Sequence, residues 1–409
     1  MVKNKKISLK ILFFVVISHT AVYGLIGLKQ SFYNLLIDTM GVNDVQLGVL
    51  FSIYGAVGML SYLFGGYVSD LISEKKLILI ALGISAVVHL YAMTIPSFHQ
   101  LIVLFTISGI TTIFGFYPAS NKILYRLSGL DSSGIVFSLY YTFVTVGIGV
   151  TAVIGMILLR MWINNEVYRG LLIFFVILHL IAICGISVSK IGEEKVKKNS
   201  DNKIVFSEIP QILKDKRVWL AALIIMANYS LLACLTYINP FLKVYFQMPE
   251  DGILKFNIFR TYILATILSP LLGWIADKIK SIIKVMGIGF IINSICLICI
   301  ILSFEKNVSF IVIAILLTIF TVIVSAEKNI AVAVISELQI PHSRQGTTLG
   351  IISFIGFSPD AFFYLLAGHT IKNGYISEYR NLFIIGLMFA ILGLICVAIY
   401  VMKYKKRIA

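Results

Sequence analysis

The chain has 409 residues, of which 59% are hydrophobic and only 13% charged, and its mean hydropathy is +0.96. Soluble domains carry about 45–50% apolar and about 25% charged residues, so this composition excludes a soluble enzyme, a disordered chain and a disulfide-stapled secreted domain, and leaves a polytopic membrane protein. The formal charge of +15, from 34 Lys and Arg against 19 Asp and Glu, must then be tested as an orientation signal before a nucleic-acid role is considered.

A helix needs about 20 mainly apolar residues to cross a hydrocarbon core. Apolar runs of that kind lie near 11–36, 46–69, 77–95, 100–121, 134–159, 170–189, 218–243, 255–275, 283–303, 308–334, 346–369 and 381–402. None alternates with period two, which argues against a β-barrel. Pro118 and Pro270 fall inside runs, where membrane helices tolerate proline because neighbours satisfy the freed backbone groups. With the N-terminus cytoplasmic, 24 of the 34 basic residues fall on the cytoplasmic side, seven on the outer side, and three (Lys29, Arg260 and Lys328) inside spans. That bias predicts both termini inside, and it accounts for most of the basic charge without nucleic acid.

The longest polar stretch divides the runs six and six, so the predicted organisation is an N-terminal six-helix bundle at 1–189, a cytoplasmic linker at 190–217 and a C-terminal six-helix bundle at 218–409. A short surface helix is expected around Glu208 to Leu213. Two six-span halves suggest an internal repeat. Gly66-Tyr67-Val68-Ser69-Asp70 closes span two and Gly273-Trp274-Ile275-Ala276-Asp277-Lys278 closes span eight. In each copy a glycine sits four residues before an aspartate, on the same helix face, where a neighbouring helix can approach while the carboxylate meets backbone N–H groups or a cation.

At these residues the chain resembles the major facilitator superfamily over essentially its full length. Gly66, Asp70, Lys75 and Lys76 match that family's loop motif after span two, while Leu71, Ser73 and Glu74 depart from it. The resemblance implies an all-α membrane fold of twelve helices in two pseudo-symmetric bundles rocking around a central site. It also implies gating contacts at Gly66, Asp70, Lys75, Lys76, Gly273, Asp277 and Lys278. Leu28-Lys29-Gln30-Ser31-Phe32, Gly115-Phe116-Tyr117-Pro118, Ser133-Gly134-Ile135-Val136 and the segment from Glu337-Leu338 to Gly346-Thr347 are similar to organophosphate:phosphate antiporters. Those antiporters' second arginine falls on Leu232 and their span-five histidine on Phe143, so their two-arginine phosphate clamp is not reproduced. Leu213 to Trp219 and Leu235 to Lys243 resemble the YihN-like permeases, which carry basic residues at the positions of Lys29 and Lys328. The Gly-Pro motif of the drug antiporters is absent from span five.

An ionisable residue at bilayer depth costs at least about 2.5–3.5 kcal/mol on insertion scales, so each asks for a reason. Lys29 either snorkels to the outer headgroups or offers an ammonium to an anionic substrate, with Gln30 and Tyr23 in the same patch. Glu327 and Lys328 are adjacent on a helix and point about 100° apart, so one is expected to meet the cavity and the other to find a partner on another helix. Arg260 and Asp360 could form a bridge whose protonation couples transport to protons, or a static polar contact. His19 is either a proton relay or a helix-packing donor. Asn228, Tyr237 and Tyr141 are expected to line the cavity as hydrogen bonders, although many tyrosines will belong to packing or to interfacial belts. Cys296 and Cys299 have CxxC spacing on an apolar helix with no second ligand pair, which reads as packing. There is no P-loop and no GxGxxG, so energy is expected from an ion or exchange gradient.

The reading is a secondary transporter, not an enzyme, in the cytoplasmic membrane. It moves a small organic anion by proton coupling or exchange, with an amino-acid or other zwitterion permease of the same fold as the alternative. Substrate-binding candidates are Lys29, Gln30, Tyr23, Lys328, Arg260, Tyr141, Asn228 and Tyr237, and coupling candidates are Asp360, Glu327 and His19. The expected partners are a small-molecule substrate, protons and the lipid bilayer. No cofactor, metal or nucleic acid is expected, and the chain is read as a monomer.

Overall fold

The computed structural model describes residues 9–128, 133–189, 209–306, 308–331, 334–338, 340 and 342–404. Every regular element among the described residues is helical. The side chains of 62–71, 270, 273, 276 and 277 lie outside the description, and with them the side-chain contacts expected of Gly66, Asp70, Gly273 and Asp277.

The first span is broken. Helix α1 (Leu9–Val22) is followed by α2 (Gly24–Gly27), a 3-10 turn at Leu28–Gln30, and α3 (Tyr33–Met40), with a bend of 67° between Leu9–Val22 and Gly24–Gln30. Next come α4 (Asp44–Leu71), α5 (Glu74–Ala92), α6 (Phe98–Gly109), a π-helical stretch at Ile110–Phe116, α7 (Tyr117–Ser128), α8 (Ser133–Leu159) and α9 (Asn164–Val188). The short α10 (Ile209–Lys214) lies where a surface helix was expected. Helix α11 (Lys216–Cys234) continues through a 3-10 turn at Leu235–Tyr237 into α12 (Ile238–Phe246). Helix α13 (Glu250–Asn257), a π-helical stretch at Ile258–Leu264 and α14 (Ala265–Ile279) form one uninterrupted run over the eighth predicted span. The chain ends in α15 (Ile282–Ser303), α16 (Phe310–Ala331), α17 (Val334–Glu337), α18 (His342–Gly356), α19 (Pro359–Thr370) and α20 (Ile376–Tyr404).

Among the described residues, 10 helices are long and apolar enough to cross a membrane, or 11 with the bent first span. Their outward faces are apolar, with Ile177, Leu180, Ile295, Ile311 and Met388 all exposed. A helix apolar on every face belongs where the solvent is lipid. Side-chain caps close several ends. Asn43 and Gln46 bond each other's backbone N–H at the start of α4, and the Asp215 carboxylate accepts the Arg217 N–H at the start of α11, so each satisfies an amide the helix cannot.

The residues divide into two compact units, Met1–Val42 with Leu60–Lys197 and Asn43–Met59 with Lys198–Ala409. In the first, α1 packs on α8 and α9, and α5 packs on α9. In the second, α11 packs on α16, α18 and α20, and α15 packs on α16 and α20. The first half of α4 joins this second unit through small residues. Ser52 Oγ accepts the Leu365 N–H at 3.0 Å, and a Cβ at Gly55 would collide with the Asp360 carbonyl. Backbone meets backbone there, so α4 approaches α19 only because position 55 has no side chain.

Candidate functional site

In the first unit the site is built around the break in span one. Gly24 and Gly27 weaken the helix and Lys29-Gln30-Ser31 is polar, so the chain tightens into a 3-10 turn within the first predicted span. Lys29, Gln30 and Tyr23 are half-buried on and beside it. His19, one turn before Tyr23, stacks on the Tyr23 ring at 4.3 Å, and its Nδ1 lies 2.6 Å from the Tyr140 hydroxyl. Phe116 meets both rings edge-on. The histidine therefore sits in an aromatic cluster across three spans. Tyr141 packs edge-on against Tyr140 and is itself exposed. A small cavity of about 30 Å³ beside the turn is lined by His19, Tyr23, Gly27 and Ser31.

The second unit repeats the device. Span seven also tightens into a 3-10 turn, at Leu235–Tyr237, matching Leu28–Gln30 of span one. Tyr237 is buried and its hydroxyl donates to the Tyr364 carbonyl at 3.2 Å, so in this conformation it ties α19 down and does not line an open cavity.

Glu327 and Lys328 part company on α16 as the helical period requires. Glu327 is fully buried, and its Oε2 accepts from Asn228 Nδ2 at 3.1 Å and Asn293 Nδ2 at 3.0 Å. The other oxygen, Oε1, has no partner and lies against Gly289, where a Cβ would collide with it. Asn228, expected to line a cavity, is instead buried and committed to this carboxyl. Asn293, on α15, could not be singled out in the sequence because a lone Asn in an apolar run carries no spacing signal. Lys328 is exposed, and the Asp360 carboxylate, half-buried in the first turn of α19, is close enough to act on its charge.

Arg260 does not bridge to Asp360. Its guanidinium is 1% exposed. It donates to Thr321 Oγ1 at 2.7 Å, Asn257 Oδ1 at 3.0 Å and Asn239 Oδ1 at 3.2 Å, and lies 5.8 Å from the Phe256 ring centroid. Nε has no partner. Arg260 thus stitches α12, α13 and α16 together through neutral oxygens, because a planar five-donor fork can reach several acceptors at once. The expected Arg260–Asp360 pair is not formed, and Asp360 instead acts on the charge of Lys328.

At the helix ends that the charge bias predicts to be cytoplasmic, Lys75 Nζ donates to the Ser189 carbonyl at 2.8 Å, Lys76 is exposed, and Lys278 Nζ lies 3.7 Å from the Trp274 ring centroid. Glu74, a departure from the family's loop motif, pairs with Arg126 at 2.6 Å and so ties the start of α5 to α7. Glu337 does the corresponding work in the second unit. Its carboxylate accepts from Ser281 Oγ at 3.0 Å and from the Ile282 and Ile283 amides at the start of α15.

The Major Facilitator Superfamily model matches residues 12–364. The chain is 25% identical over 403 residues to the inner membrane protein YihN of Escherichia coli, covering 94% of this chain and 93% of that protein. It is also 25% identical over 385 residues to the inner membrane protein YqcE of the same organism, covering 90% and 88%. In fold it is similar to the nucleoside transporter NupG, with TM-score 0.73 at 16% identity over 98% of this chain and 100% of that one. A bacterial homologue of the human lysosomal transporter Spinster, in an inward-facing, unoccupied conformation, superposes with TM-score 0.70 at 15% identity over 99% of each chain. With its stack of apolar helices and a family match over most of its length, the chain is a multi-pass membrane protein and belongs to the Major Facilitator Superfamily of transporters.

Proposed function

We propose that this protein is a secondary transporter that carries a small organic anion across the cytoplasmic membrane by alternating access, driven by proton coupling or exchange. In this reading twelve spans form two six-helix bundles (1–189 and 218–409) joined by a cytoplasmic linker (190–217), both termini are cytoplasmic, and the chain works as a monomer. The observation that carries it is that two lysines of the predicted spans are not sealed inside the helix packing. Lys29 is half-buried on the turn of span one and Lys328 is exposed on α16, one position past a carboxyl turned inward. A lysine facing lipid there would cost at least about 2.5–3.5 kcal/mol, so an aqueous path that admits an anion is the better account. Gln30 and Tyr23, next to Lys29 on span one, supply hydrogen bonds near the first ammonium, and Tyr141, packed on Tyr140, is a further hydrogen-bonding candidate. Arg260, buried among neutral oxygens, braces the second unit and does not meet the substrate in this conformation. His19, Glu327 and Asp360 are the groups to examine for proton coupling.

A second reading, uptake of an amino acid or other zwitterion, draws on Asp360 acting on Lys328, since a carboxylate beside an ammonium can hold a substrate of mixed charge. A thermal-shift panel of organic anions and amino acids on the purified protein separates the two, and the stabilising class is then followed into proteoliposomes with and without a pH gradient. Lys29→Ala and Lys328→Ala are expected to abolish uptake while the protein still inserts and unfolds normally. Wild-type uptake by both variants would overturn the anion assignment.

A further inference from the structure

A pair of histidines, His89 on α5 and His179 on α9, lies behind the break of span one. His89 is 1% exposed and His179 fully buried, with their ring centroids 5.0 Å apart. His89 Nδ1 is 2.7 Å from the Ser85 carbonyl, and a carbonyl only accepts, so Nδ1 carries the proton and Nε2 is a bare lone pair. That lone pair accepts the Leu25 N–H at 3.1 Å. Leu25 stands in the first turn of α2, where the break has removed its i−4 partner. Ser85, one turn earlier on α5, donates to the Val22 carbonyl on the other side of the same break at 3.4 Å. One face of α5 therefore holds both ends of the interruption: a hydroxyl on the freed carbonyl and an imidazole on the freed amide.

His179 is arranged alike and left open. Its Nδ1 donates to the Phe175 carbonyl at 2.7 Å, and its buried Nε2 has no partner. The groups facing the pair are the Val22 carbonyl from α1, the Leu25 amide from α2, the Phe175 ring and carbonyl from α9, and Ser85 on α5 itself. Among the described residues no charged side chain bonds to either imidazole.

We propose that the His89–His179 pair is a proton-binding site whose occupancy competes with the anchorage of span one. Its purpose rests on the transport reading, and its chemistry on the hydrogen bonds alone. The lone pair on His89 Nε2 takes either the Leu25 N–H or a proton from water, never both. When a proton adds, the N–H···N bond breaks, Nε2 changes from acceptor to donor, and two N–H groups face each other. The Leu25 amide is then free, and the turn that carries Lys29 four residues on loses its tether. His179 Nε2 offers a second lone pair beside it through which the proton can arrive. His89 is a positioning residue: it acts on Lys29 through the backbone.

The test needs no substrate. Hydrogen exchange of peptides covering residues 22–32 is measured on the full chain in nanodiscs at about pH 8 and about pH 5.5, after correction for intrinsic exchange. The wild type is expected to lose about tenfold of its protection at Leu25 at the lower pH, while peptides of α20 stay unchanged. His89→Gln keeps an acceptor oxygen without a titrating ring and is expected to protect Leu25 equally at both values. His89→Leu is expected to leave it unprotected at both. His179→Leu should protect at the higher pH and respond less to acid. Protection in the wild type that ignores pH, or a pH response that survives in His89→Gln, would overturn the proposal, whether or not the leucine variants fold. Neither result touches the transport reading, which stands or falls on the Lys29 and Lys328 variants.

Discussion

The contact between Glu327 and Gly289 makes a prediction with a change of sign. A Cβ at position 289 would stand 2.6 Å from the Glu327 carboxyl carbon, far inside van der Waals contact. Overpacking of this kind costs about 1–3 kcal/mol. Alanine is a better helix former than glycine by about 1 kcal/mol, so Gly289→Ala alone is expected to destabilise by up to about 2 kcal/mol. Glu327→Ala removes the oxygen that accepts from Asn228 and Asn293, and each buried amide left without an acceptor costs about 1–3 kcal/mol. With the glutamate gone, the new methyl has room, and only the helix-forming gain remains. In the Glu327→Ala background Gly289→Ala should therefore stabilise by about 1 kcal/mol. The coupling between the two positions is then about 1–3 kcal/mol, in the range found for residues in contact. Reversible unfolding of the four proteins in mixed micelles, followed by helix content, closes the cycle. The same effect of Gly289→Ala in both backgrounds, within about 0.5 kcal/mol, would mean that Glu327 does not occupy the space beside Gly289, and the buried carboxyl–diamide arrangement would be wrong.

Two further outcomes test the braces. Arg260→Lys keeps the charge but replaces a fork reaching three oxygens on α12, α13 and α16 with a single ammonium. It should destabilise by about 1–3 kcal/mol in the same assay, and an unchanged stability would show that the fork is not used. Burial raises the pKa of Asp215 at the start of α11, but its hydrogen bonds and charge contact with Arg217 outweigh that and hold the carboxyl below its ordinary value. Its contribution is therefore fully present above the unfolded value of about 3.9 and is lost as pH falls through the lower folded value. Asp215→Asn should be less stable than wild type at neutral pH and converge on it in acid, and a gap that persists below both values would contradict this.

Much of the architecture was legible in the chain because lipid imposes a coarse rule: every backbone polar group must be satisfied within a helix, and each helix must be apolar for about 20 residues. Composition alone was enough to predict a stack of membrane helices, and the paired Gly-to-Asp spacings of spans two and eight carried the family resemblance. The sequence also confined the chemistry to a few ionisable residues at depth, and the 100° step between Glu327 and Lys328 required that they face different surroundings. It could not say which of them turned inward. That depended on Asn228 and Asn293 (99 and 34 residues away) converging on one carboxyl oxygen. Charge suggested a possible bridge from Arg260 to Asp360, whereas the fold supplied three neutral oxygens from three elements. The break in span one falls inside a run read as one continuous apolar span, and its anchorage at Ser85 and His89 joins residues more than 60 positions apart. Hydropathy is a local property and survives in the linear sequence. Hydrogen bonding inside a bundle is decided by which helix faces meet, and only the tertiary structure holds that information.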